Sequence, residues 1–222
     1  MDALQPPRGI FAATPCPLAP GAGIDEARLG AFLAKLARVP GLAGFLLNGH
    51  AGENVAMAPA DQRRVIEIAR AAAPATALVV GVNAESAAVA AAQAAKAEAA
   101  GADAIMVFPP NGWALYQERE MVLDHHRAVL EATRCPLFLF QASVAAGRMA
   151  YPPETLGALC TLARVIGIKE GSWEVATYEA NRRLVHAVAP HIAVMGSGDE
   201  HLLTSYVIGS EGSLVSLAAV VP

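Results

Sequence analysis

VIGIKEGS, residues 165–172, is the stretch from which the rest of the chain is read. Val165 to Ile168 form an unbroken apolar run, the pattern of a strand covered on both faces. Lys169 then puts an ammonium group at the end of a strand that otherwise avoids water. Strands buried on both faces belong to parallel sheets clothed by helices.

Working outward, strand-like and helix-like segments alternate with little between them. Strands are predicted at 9–15, 44–48, 77–82, 104–108, 136–141, 165–169, 192–196 and 212–216. The helices between them are predicted at 25–41, 59–73, 86–103, 115–132, 153–163, 174–187 and 199–207. In the first helix Leu29, Phe32, Leu33 and Leu36 recur at i, i+3, i+4 and i+7, the spacing of one helix face. Asp25 is placed to cap it, with Ile24 and Leu29 as a hydrophobic staple, and Pro40-Gly41 to end it. Gly101 is the expected C-cap of the Ala-rich third helix.

Eight such strands with right-handed crossovers predict a single (β/α)8 TIM barrel over 1–222. The runner-up, an open doubly wound sheet, needs a glycine-rich turn after strand one, and TPCPLAP (14–20) offers none. Because the sequence stops at Pro222, just after strand eight, the expectation is a barrel without its last helix and a chain that is truncated or incomplete. An uncovered strand would expose apolar surface and favour association.

Composition narrows the classes of function. Hydrophobic residues make up 55% and charged residues 16%, yet no run of 18 uncharged apolar residues marks a membrane span. MDALQPPRG (1–9) lacks the basic start and apolar core of a signal peptide. Cys16, Cys135 and Cys160 form no CxxC pair and cannot all be bridged, which fits a reducing cytoplasm. A net charge of −4 with no basic patch argues against nucleic acid as a partner.

Barrels of this class do their chemistry where the strands end at their C-terminal face. The candidates there are Asn48, Gly49, His50 and Glu53, then Asn83 and Glu85, Phe140 and Gln141, Lys169 and Glu170, and Ser197, Asp199, Glu200 and His201. A lysine held in an apolar barrel loses hydration, its pKa falls, and the neutral amine attacks ketones to form a Schiff base. The plainer assignment pairs Lys169 with Glu170 or another mouth carboxylate. His50, Glu53, Asp199, Glu200 and His201 alternatively offer N and O donors for a divalent metal. His125-His126 reads as a surface pair.

IKEGS (168–172) resembles the lysine motif of the dihydrodipicolinate synthase / N-acetylneuraminate lyase family, (β/α)8 class I aldolases acting on pyruvate-like 2-oxo acids. GIFAATPCPL (9–18), GFLLNGHAGE (44–53), AEAAGADAIMVFPP (97–110), PPETL (152–156) and GSGDE (196–200) resemble other segments of that family in order and spacing. The resemblance implies that Lys169 forms the Schiff base and that the loop Gly49-His50-Ala51-Gly52-Glu53 receives the substrate carboxylate. It implies a 2-oxo acid substrate, no cofactor and no metal, and a homo-oligomer in the full-length form. Leu214 is expected to line the pocket beside the pyruvate methyl.

The departures are specific. The family's strand-five Tyr-Asn pair is Phe140-Gln141, the Thr-Thr of the glycine-rich loop is His50-Ala51, and the tyrosine pair after strand four is Pro110-Asn111. A phenyl ring carries no proton, so His50, which titrates near neutrality, is the expected proton carrier beside Phe140. The alternative is a barrel that binds a 2-oxo acid with little or no turnover.

Overall fold

The structure is a computed structural model that describes residues 7–21 and 23–222. The N-terminal residues 1–6, part of the stretch inspected for a signal peptide, lie outside the described residues. Strands β1 (Gly9–Ala13), β2 (Leu42–Leu47), β3 (Ala77–Val82), β4 (Ala104–Val107), β5 (Leu137–Gln141), β6 (Val165–Glu170), β7 (Ala193–Gly196) and β8 (Gly212–Val215) form a closed barrel in chain order. All the pairings are parallel, and β8 returns to β1, so the open doubly wound alternative is excluded.

Helices α1 (Glu26–Leu36), α2 (Pro59–Ala72), α3 (Ala87–Ala100), α4 (Arg119–Ala132), α5 (Pro153–Leu159), α6 (Val175–Val188) and α7 (Leu202–Ile208) alternate with the strands. The expected signals set several ends. Asp25 accepts from the Arg28 N–H at 3.0 Å and caps α1. Ser86 caps α3 in the same way, and Gly101, at φ 109°, closes it. Among the described residues no helix is long and apolar enough to cross a membrane.

As expected, no full-length helix covers β8 among the described residues: a single helical turn, α8 (Leu217–Val220), follows it. This turn forms because Asp199, from the loop after β7, accepts from Ser216 Oγ at 3.0 Å and from the Leu217 N–H at 3.3 Å. Two other expectations are corrected. The helix expected at 115–132 starts at Arg119, and a 3-10 turn at Asn111–Ala114 precedes it. His125 and His126 are not a surface pair: both are buried, packed with Trp113 and, for His126, Tyr151.

Each strand face has its own core. One set of side chains packs between strands and helices, including Phe45, Leu78, Ile105, Leu137 and Val194. The alternate set fills the barrel, including Phe11, Leu46, Phe108, Phe138, Phe140, Met195 and Leu214. Period-2 alternation sends neighbours along each strand to opposite cores. Glycines give the interior rings room. A Cβ at Gly81 would lie 2.8 Å from the Phe108 ring and 2.2 Å from the Asn48 carbonyl oxygen. Since the second contact is backbone, Gly81→Ala must displace the turn that leads to His50. It is expected to cost about 1–3 kcal/mol, measured by urea denaturation, and an unchanged midpoint would refute this packing.

Candidate active site

Lys169 and Phe140 are paired across β5 and β6, and Lys169 and Met195 across β6 and β7. Lys169 therefore points into the barrel among apolar neighbours. Its side chain opens on a cavity of about 350 Å³ at the C-terminal face. That cavity is lined by His50, Ala51, Phe140, Trp173, Asp199 and Leu214, among others. The sequence-selected Lys169, His50, Ala51, Phe140 and Leu214 thus share one chamber. Gly49 and Gly52 lie behind it, in the loop turn, where the Gly52 N–H donates to the Gly49 carbonyl at 3.0 Å.

Lys169 makes no ion pair among the described residues. Glu170, the simplest partner, faces the opposite side of β6. There it is buried, with Oε1 accepting from Asn181 Nδ2 at 2.9 Å and Oε2 from Ser172 Oγ at 3.0 Å. Burial raises the Glu170 pKa against those bonds. Lys169 Nζ instead stands 5.6 Å from the Phe140 ring centroid. Desolvation pushes its pKa down to about 8, partly opposed by the negative charge of Asp199. At pH 7 roughly a tenth of such a lysine is free amine, several hundredfold more than for a solvated one.

His50 follows β2 on a loop whose entry, Asn48, has φ 51°. Its inner face packs on the Phe108 ring at 4.5 Å, tilted by 38°, and meets Phe140 edge-on at 5.4 Å between centroids, while its outer edge reaches solvent. Burial of the inner face, and then the Lys169 charge, hold the imidazole below its ordinary value. It is neutral at pH 7 and available as a base.

The loop is fixed by amides rather than by the Glu53 carboxylate. Asn48 Nδ2 donates to the Gln62 carbonyl at 2.9 Å, and Gln62 Nε2 to the Asn54 carbonyl at 2.8 Å. Glu53 contributes a left-handed backbone, φ 55°, and its side chain is exposed. The N–H groups of Gly52, Glu53 and Asn54 are taken by turn bonds, whereas no loop or turn bond of the described residues takes those of His50 or Ala51.

Other mouth candidates serve structure. Glu85 accepts from the Asn111 and Gly112 N–H groups, and Gln141 exchanges two 3.1 Å hydrogen bonds with the Tyr151 backbone. Arg148 is exposed and is not among the residues lining the chamber. Among the described residues no three His, Cys, Asp or Glu side chains gather as a ligand set for a metal, so the five donors considered for one do not converge. Sequence reasoning missed Trp173, which lines the chamber with φ 57° and is 60% exposed. A large aromatic immediately after the Gly-Ser turn that leaves a lysine-bearing strand was its only signal.

A closed eightfold barrel with a desolvated lysine inside its C-terminal mouth defines a class of barrel enzyme with chemistry at that face. The sequence model of the dihydrodipicolinate synthetase family matches residues 6–222, and the chain belongs to that family. It is 24% identical over 219 residues to a probable mitochondrial 4-hydroxy-2-oxoglutarate aldolase of Emericella nidulans, covering 96% of this chain and 70% of that one. It is 26% identical over 220 residues to a 4-hydroxy-tetrahydrodipicolinate synthase of Anaplasma marginale strain Florida, covering 96% and 69%. Among solved structures, YagE, a prophage protein of the dihydrodipicolinic acid synthase family from E. coli K12 in complex with pyruvate, superimposes with a TM-score of 0.88. The two are 20% identical over 96% of this chain and 70% of that one. The family is one of lyases and aldolases.

Proposed function

We propose that the protein is a class I lyase that condenses or cleaves pyruvate or a related 2-oxo acid through a Schiff base on Lys169. The observation that carries this is an unpaired lysine, its pKa lowered to about 8, opening on a closed-sided chamber. The amine adds to the ketone carbon, water leaves, and an iminium forms. Loss of a C3 proton gives an enamine that attacks an aldehyde, and the reverse path releases one. The unengaged N–H groups of His50 and Ala51 suit the substrate carboxylate, since backbone donors cannot be neutralised. Leu214 packs beside the methyl group. His50, neutral and at the mouth, takes and returns the C3 proton in place of the absent tyrosine. The relatives' names, an aldolase and a synthase, support carbon–carbon chemistry at this face. This reading has no cofactor, a cytoplasmic protein with its three cysteines free, and association through exposed apolar side chains such as Leu203 and Val207.

The expected result is borohydride trapping of pyruvate whose initial rate rises about tenfold per pH unit and levels off near pH 8. Levelling off only near pH 10 would mean a solvated lysine and would contradict the assignment. His50→Gln is expected to keep the adduct while slowing exchange of the pyruvate methyl protons in D2O by about 100-fold, followed by NMR. The second reading, a 2-oxo acid binder without turnover, is favoured by Phe140. It gives an adduct in the wild type with no methyl exchange.

A further inference from the structure

Phe140 removes a hydroxyl from the wall beside Lys169, so the remaining hydroxyls of the chamber are informative. Two serines line it, Ser197 and Ser216. Ser216 Oγ is engaged by Asp199 at 3.0 Å. The Ser197 hydroxyl has no hydrogen-bond partner among the described residues.

Register sets where Ser197 stands. Lys169 pairs with Met195, whose side chain points into the barrel, and Glu170 with Gly196. Ser197 is the first residue after β7, which ends at Gly196, and it lines the chamber at the mouth. Lys169 lines the same chamber as Ser197. Gly171 keeps the space open. A Cβ there would lie 3.0 Å from Ser197 Oγ and 3.4 Å from Phe140 Cε2, so the hydroxyl and the bare phenyl edge border the same small volume.

We propose that Ser197 is a further catalytic residue, the hydroxyl that carries a proton from nitrogen to oxygen while the carbinolamine forms. This rests on the Schiff-base reading above. As Lys169 Nζ bonds to the substrate C2, the carbonyl π bond breaks and its electron pair moves to oxygen. The Ser197 hydroxyl gives its proton to that oxygen, and Oγ takes a proton from the newly cationic nitrogen. The product is a neutral carbinolamine, and the serine is unchanged. Direct transfer would need a four-membered path, and the bridging hydroxyl makes it six-membered.

The test follows borohydride trapping of pyruvate over time by intact mass in the full chain, for wild type, Ser197→Ala and Ser197→Thr. Ser197→Ala is expected to slow trapping about 100-fold with the half-saturating pyruvate concentration and melting temperature unchanged. Ser197→Thr keeps the hydroxyl and is expected to stay within about threefold of wild type. A residue that only shaped the pocket would move half-saturation and would not be rescued by threonine. Trapping by Ser197→Ala at the wild-type rate overturns the proposal and leaves the Lys169 Schiff base standing. No trapping in folded wild type overturns both.

Discussion

Lys169→Met is expected to abolish pyruvate trapping and at the same time to stabilise the barrel. Both effects have one cause. The folded protein holds an ammonium group in a setting that lowers its pKa to about 8, so at neutral pH folding works against the charge. Methionine keeps the apolar stem and removes that cost. Because Lys169 is half-buried rather than sealed, the gain is about 1–3 kcal/mol. The sign is fixed by linkage: the lysine is costly in the folded state below pH 8, and the cost fades as pH rises toward its unfolded value. The variant should thus melt higher than wild type at pH 7, with the difference closing above about pH 10. A variant less stable than wild type at pH 7 would mean that Lys169 has a partner and is not desolvated.

The second large effect concerns the buried histidine pair. His126 is fully buried, and its Nδ1 lies 2.8 Å from the Val122 carbonyl, so the ring carries its proton there. Nε2 has no partner among the described residues. A proton on Nε2 would leave a sealed, unpaired cation beside His125, Trp113 and Tyr151. Desolvation pushes the His126 pKa down to about 4. Between about pH 6.5 and 4 the unfolded chain binds a proton that the native protein refuses. Stability contributed by this site is therefore complete above pH 6.5 and falls by about 1.4 kcal/mol per pH unit below it, to a total of about 3 kcal/mol. His126→Phe, which keeps a ring in the cluster, should remove that part of the acid sensitivity. Urea midpoints measured across this range would decide. Parallel pH dependences for variant and wild type would show that His126 does not carry the effect.

The barrel was legible because its strands are buried on both faces and read as unbroken apolar runs, with Gly and Pro at their ends. Lys169 was legible for the same reason, as a charge where the pattern forbids one. Tertiary contacts hid the rest. Asp124 and Arg127 flank His125-His126 and make the pair look solvated, while its burial comes from Trp113, on the 3-10 turn before α4, and from Tyr151, on the segment before α5. The last helical turn depends on Asp199 reaching across from the loop after β7. Glu170 is adjacent to Lys169 in sequence but faces the other core, as strand alternation requires. The significance of Ser197 lies in which hydroxyls are already engaged and in the missing Cβ of Gly171. Both depend on contacts between segments distant in sequence and not on any local pattern.

The most direct test of the account is to incubate the protein with pyruvate and sodium borohydride, digest it, and locate the reduced adduct by mass spectrometry. The account predicts a single pyruvate-derived addition on the peptide containing Lys169, absent in Lys169→Met. A folded protein that gives no addition, or one on another lysine, would contradict it.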